Sequence, residues 1–553
     1  MRYRKPHRLA VLLPILFSRS LVAQEARPEG PAVAAVGSGE ALSTNTEPQL
    51  SERERLLLQR IEKLERRMAE LESERMQRAS SSDGVARAVE FAKTASLASP
   101  APALASAGQV KQGPLASPQE PPANALVAAD KAPKPEPFAF ADFTWLTGNS
   151  RQKEFPLAGK VLSGEFRVDT AYTYSFNHPQ DNTISGSTEV FRHNEVQLTD
   201  FGFGGDLNWN NVRARLLTQF GMYSQTQPRN DASPGRGQYN LDSAYRYLGE
   251  AYGGYHIDKM YGINIDGGIF LSYIGLFSFY QFDNWAYQPS YVSSNTPWYF
   301  NGIRIQIYPS DKLKIEPWII NGWQSYGKFN KAPGIGGQVL WRPNGSLSIV
   351  SNNYWGTDTL GNSDRKRIHT DDSVQFKYLD RPGEFLSKSA ATLTVDLGCE
   401  YGGGVSCTGG SVSSPAQYFA GFMVYNRFWF SDDRYAFTIG GGEINNPGRY
   451  LVLLPPINGA TAFSGAPSYF TQNPSDPFKA WDYSLTFDYM PKDFLTFRLE
   501  FNRRMADVPY FSGPGGVTPV GGNQGPPGSF VPGFTPDLVR GESRFTTAIL
   551  VKY

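Results

Sequence analysis

Cysteine is nearly absent from this chain of 553 residues, which has only Cys399 and Cys407. Two thiols cannot furnish a cysteine-rich zinc site or a disulfide-dense scaffold. Histidine is scarce too, with five in all, and the surroundings of His193, His256 and His369 are not distinctive. There is no Gly-x-Ser-x-Gly elbow, no His-Glu-x-x-His pair and no P-loop. Nothing therefore calls for a catalytic centre, a metal or a cofactor, and the chain is expected not to be an enzyme. Charge of one sign is also lacking. Lys and Arg number 53 against 52 Asp and Glu, which leaves no bulk basicity to hold nucleic acid. Beyond the N-terminus no run of about 18 apolar residues occurs, which argues against a helical membrane protein. A membrane β-strand needs only ~9–11 alternating residues, so a barrel stays open.

What the chain does have is 55 Gly and an aromatic content of 14%, a composition suited to many strands and turns. The first residues read as a secretory signal over 1–23: Arg2, Arg4, Lys5 and Arg8 precede the short apolar run Leu9 to Phe17, with small residues beyond. Export implies an oxidising compartment, and Cys399 and Cys407, eight apart, are expected to close one small loop as a disulfide. Residues 24–49 read as a flexible segment. Over 50–78, Leu57, Ile61, Leu64, Met68 and Leu71 recur at spacings of four and three amid dense Glu and Arg. This predicts a short coiled-coil helix whose apolar seam wants a partner; a solvated charged helix is the plainer reading. Residues 79–137 are an Ala/Pro/Ser-rich linker.

From Phe138 to Tyr553 the pattern changes. Runs of alternating polarity are punctuated by seven short turn signals, at 208–211, 256–259, 309–312, 343–346, 379–383, 431–434 and 490–493. Between them lie eight longer polar segments, near 177–194, 224–244, 272–298, 324–333, 355–366, 400–416, 445–478 and 504–541. Fifteen connections, alternately short and long, predict about sixteen antiparallel strands. Short turns on one rim and long loops on the other are the habit of outer-membrane barrels.

The alternation fits. Leu495, Phe497, Leu499 and Phe501 share one face, and Thr496, Arg498, Glu500 and Asn502 the other; Trp481 to Tyr489 reads likewise. A soluble sheet would turn the apolar face to a core, a membrane barrel to lipid. Export, aromatic residues near strand ends and the recurrence of charged partner faces favour the barrel. The last strand, with Phe545, Thr547, Ile549, Val551 and Tyr553 alternating, resembles the aromatic-ended signal read by the outer-membrane assembly machinery.

Asp142 to Asn149 precedes the first strand. Then come Val168, Asp169, Tyr172, Phe176, Asn177 and Pro179, and Asn194 to Leu198. Over 138–553 the chain resembles the OmpL-like β-barrel porin family. The resemblance implies passive diffusion of small solutes and supplies no catalytic residues. By alternation, the pore-lining candidates are Arg167, Arg213, Arg215, Arg304, Lys314, Glu316, Lys377, Arg427, Arg498 and Glu500. Basic groups outnumber acidic ones among them, which points to mild anion preference, unless Arg–Glu pairing simply stiffens the wall. The third long segment is rich in aromatic residues, and Phe279, Phe282, Asp283, Trp285 and Tyr287 are candidates for a loop that narrows the channel. The alternative is that this loop packs on the rim.

The expectation is thus a water-filled pore in the outer membrane, in contact with lipid, passing small hydrophilic solutes or ions. A homo-oligomer, by porin analogy a trimer, would form through the barrel wall and a periplasmic 50–78 helix. The alternatives are a sugar- or phosphate-selective transporter, or a barrel that tethers the envelope.

Overall fold

The computed structural model describes residues 135–553 except 229–230, 232, 234–236, 329, 360, 410–415, 449–477 and 520–533, together with Arg66. The signal, the flexible segment, the coiled-coil helix apart from Arg66, and almost all of the linker lie outside these residues. The chain divides into two units, 1–108 and 109–553, and the second contains the barrel.

Sixteen strands form one closed antiparallel barrel. They are β1 (Leu162–Ser175), β2 (Val196–Trp209), β3 (Val212–Thr218), β4 (Leu248–Ile257), β5 (Ile263–Leu271), β6 (Tyr299–Ser310), β7 (Leu313–Ile320), β8 (Gly334–Asn344), β9 (Leu347–Gly356), β10 (Lys366–Asp380), β11 (Leu386–Tyr401), β12 (Tyr418–Phe430), β13 (Tyr435–Asn446), β14 (Phe478–Lys492), β15 (Leu495–Ala506) and β16 (Gly541–Lys552). Each pairs with its sequence neighbours. β16 also pairs with β1, from Arg167 opposite Lys552 to Ser175 opposite Arg544. The seven short connections fall where the turn chemistry placed them. In the β2–β3 turn Asn210 and Asn211 have φ of 48° and 65°, the left-handed pair of a tight hairpin that asparagine tolerates. The β12–β13 turn holds Ser431, Asp432 and Asp433 at positive φ.

No helix among the described residues is long and apolar enough to cross a membrane; strands do that work. The barrel is apolar outside and charged inside. Ile303, Ile319, Phe422, Leu499 and Ile549 stand exposed on the outer wall, whereas Asp371, Asp488 and Arg498 are buried within. Trp209, Trp341, Tyr435 and Tyr489 point outward near the short-turn rim, and Tyr247 and Trp481 near the other, as interfacial girdles do. Cys399 on β11 and Cys407 in the following loop are joined as a disulfide.

Leu499, near the middle of β15, should face the bilayer's apolar band. Arginine in its place is expected to cost roughly 2–4 kcal/mol, measured by reversible unfolding in lipid vesicles; an unchanged midpoint would contradict an outward, lipid-facing Leu499.

Candidate channel constriction

The ten pore-lining candidates all lie on the inner face. Nine are almost wholly buried; Lys377, near the short-turn rim, is half-buried, with its ammonium on Asp380 and above the Trp145 ring. In an open sixteen-stranded barrel such side chains would be wet. Here Gln306, Asp371, Thr486 and Asp488 are 0% exposed, because two chain segments cross the lumen and cover them.

The first segment is the third long loop, 272–298. It leaves β5 and reaches strands on the far side of the ring. Asp283 meets Lys552 of β16 at 3.1 Å and Arg167 of β1 at 3.2 Å. The Tyr287 hydroxyl donates to Asp169 of β1 at 2.9 Å. Glu500 of β15 accepts the backbone N–H groups of Tyr287 and Gln288 at 2.6 and 2.8 Å. Asp482 of β14 accepts Ser290 Oγ–H and Tyr291 N–H at 2.8 and 2.9 Å. Arg498 donates to the carbonyls of Gln281 and Asn284, and Arg427 to that of Trp285. A loop inside a barrel has backbone groups with no ladder to join, and these wall side chains supply their partners. Near its start, Tyr273 lies across Gly336 of β8 and donates to Asn353 O at 2.9 Å; a Cβ at Gly336 would collide with that hydroxyl. Of the five loop candidates, Phe282, Asp283, Trp285 and Tyr287 are buried inside the barrel. Phe279 is half-buried and stacks near Tyr223 and Trp298, with ring centroids 4.2 and 5.5 Å away.

The second segment, 138–152, was not foreseen as part of the lumen. It is irregular and lies across the short-turn mouth. Phe138 N–H donates to Asp311 O in the β6–β7 turn at 2.7 Å. Trp145 Nε1 donates to Gly345 O in the β8–β9 turn at 3.0 Å. Arg151 donates to Lys492 O and Leu495 O about the β14–β15 turn, and Gln152 to Lys552 O. The Arg342 guanidinium lies 4.8 Å from the rings of both Phe138 and Phe143. The two segments clasp each other: Gly148 N–H donates to Asp283 O, Trp285 N–H to Thr147 Oγ1 and Trp285 Nε1–H to Trp145 O, at 2.9 to 3.1 Å. The signal for this was present: Phe138, Phe140, Phe143 and Trp145 form an aromatic cluster ahead of the first strand, too short and broken to be a strand itself. Such a cluster needs cover, and only the lumen supplies it.

The inner wall also corrects the charge reading. Carboxylates, most of them absent from the candidate set, stand beside the basic groups. Arg215 contacts Glu165, Asp206 and Glu250 at 2.7 to 3.0 Å. Arg304 meets Asp266 at 3.0 Å, Lys314 meets Glu316 at 2.9 Å, and Arg367 meets Glu400 at 2.8 Å. Low dielectric makes an unpaired buried charge costly, so the wall is built of pairs, and its basic residues do not amount to a wall-wide excess.

An inside-out barrel of sixteen strands with a loop folded across its lumen has the architecture of an outer-membrane porin. The sequence matches a family described as "Putative beta-barrel porin-2, OmpL-like" over residues 166–525, and the chain belongs to that family. No curated protein matches it. Among solved structures it is similar to an anion-selective porin from Comamonas acidovorans (10% identity, 71% of this chain and 99% of that chain covered, TM-score 0.41). It is also similar to OprB of Pseudomonas putida (11%, 71% and 94%, 0.41) and to in-vitro folded OmpT of Vibrio cholerae (9%, 71% and 97%, 0.39).

Glu500→Ala removes the acceptor for two loop N–H groups, each worth roughly 1.5–3 kcal/mol as a charge-assisted bond. Proteolysis within 272–298 should become faster while the barrel keeps its heat-modifiable gel mobility; unchanged protection would show that Glu500 does not hold the loop.

Proposed function

We propose that this outer-membrane porin is a narrow channel for passive diffusion of small hydrophilic solutes or ions, in which residues 272–298 form the constriction and residues 138–152 a second layer at the periplasmic mouth. The observation that carries this is the reach of the loop from β5 to Asp482, Glu500 and Asp169 across the ring. The short-turn rim is periplasmic by the rule for such barrels, which puts segment 138–152 at the periplasmic mouth. The inner wall, with Arg167, Arg213, Arg215, Arg304, Lys314, Glu316, Lys377, Arg427, Arg498 and Glu500, carries charges paired with neighbours of opposite sign. A lumen this filled favours small solutes over large ones. The family and the fold support a channel rather than an enzyme.

Single-channel recording in planar bilayers tests the reading. The full chain should show a small conductance. Deleting Phe279–Tyr287 should raise it, and so should Phe143→Ala with Trp145→Ala. No conductance in any of the three would favour the tether instead.

We also infer a homotrimer, held by the barrel wall and by the 50–78 helix through Leu57, Ile61, Leu64, Met68 and Leu71. Chemical cross-linking of the full chain in native membranes should trap trimers, and Leu64→Glu with Met68→Glu should reduce their yield; monomers alone from the unaltered chain would refute it.

A further inference from the structure

Between the two crossing segments and the wall of β12, β14 and β15 lies a small cavity of about 20 Å³. Three guanidinium groups line it: Arg427 from β12, Arg498 from β15 and Arg151 from the segment ahead of the barrel. Arg427 and Arg498 share one carboxylate, Asp488, each at 2.7 Å. Arg151 has no carboxylate within ion-pair distance among the described residues; it donates only to two backbone carbonyls and to Thr496 Oγ1. The carboxylate that lines the cavity itself, Asp283, is already taken by Arg167 and Lys552. The Nε–H groups of Arg151 and Arg427 are buried without a hydrogen-bond partner. Among the described residues, then, the three cations have one carboxylate within ion-pair distance, Asp488, which pairs with two of them, and Asp493 acts on Arg151 from further away. Burial, opposed by Asp488 and Asp493 and reinforced by the neighbouring Arg427 and Arg498, brings the Arg151 guanidinium down to about 10, which still leaves it charged at neutral pH. An excess of positive charge inside low-dielectric walls draws in an anion, and orphaned guanidinium N–H groups are donors suited to oxyanions.

We propose that this cavity is a binding site for a small inorganic oxyanion, held between Arg151, Arg427 and Arg498. The site is incomplete without Arg151, so the segment ahead of the barrel supplies part of the recognition as well as covering the mouth. Thr144 and Asn149 of the same segment and the Trp285 and Trp429 rings complete the lining. The site itself does not require the pore reading; its consequence, that a bound anion sits on the conduction route, rests on it.

Inorganic phosphate is the probe. Equilibrium dialysis of the full chain, folded in detergent at low ionic strength, should show saturable binding. Arg151→Gln should weaken it about tenfold or more, the loss of a charge-assisted contact, and Arg151→Lys should recover part of the loss. Arg151 lies outside every strand, and heat-modifiable mobility will show that each variant has folded. Absence of saturable binding by the unaltered chain, or equal binding by Arg151→Gln, overturns the proposal. Conductance without phosphate binding would remove the site and leave the pore. Binding by a barrel that does not conduct would keep the site and remove the pore.

Discussion

The pairing of β16 with β1 is the constraint on which everything else rests. In hydrocarbon no water is available for a free N–H or C=O, so a sheet that spans the membrane must have no edge. Nine residue pairs from Arg167–Lys552 to Ser175–Arg544 close the ring, and Tyr553 exchanges backbone hydrogen bonds with Phe166 beyond them. Closure also fixes which face is which. With period-two alternation, one register serves both lipid outside and charge inside.

A closed ring of sixteen strands is wider than wall side chains can fill. The chain fills it with itself. Each segment that enters the lumen brings backbone groups and aromatic rings that must be satisfied, and the wall answers with Asp482 and Glu500 for N–H groups and Arg427 and Arg498 for carbonyls. Charges that in an open pore would face water become structural. The loop and the segment at the mouth are also fastened to each other through Trp145, Thr147, Asp283 and Trp285. Movement of one therefore strains the other.

Much of this was legible along the chain. Turn chemistry is local: Asn210–Asn211 and Ser431–Asp433 mark hairpins because few other residues tolerate positive φ. Alternation is local too, so the inward placement of Arg498 and Glu500 followed from Leu499 facing the other way. The aromatic residues of 272–298 pointed to a loop with something to bury. The partners were not legible. Asp488 serves both Arg427 and Arg498, but the three lie on strands β14, β12 and β15, and only closure of the hairpins sets them side by side. The segment 138–152 escaped because it has no sustained strand period, and its role depends on a cavity that exists only once the barrel has formed.

By itself, then, the sequence determined strand number, hairpin positions and which residues face lipid, because these follow from dihedral preferences and a two-residue period acting over a few neighbours. Tertiary structure alone decided that two segments cross the lumen, which charges neutralise each other, and that Arg151 stands beside Arg427 and Arg498 with no carboxylate of its own among the described residues. Those outcomes depend on distances across a closed ring, and the chain acquires such distances only when its last strand meets its first.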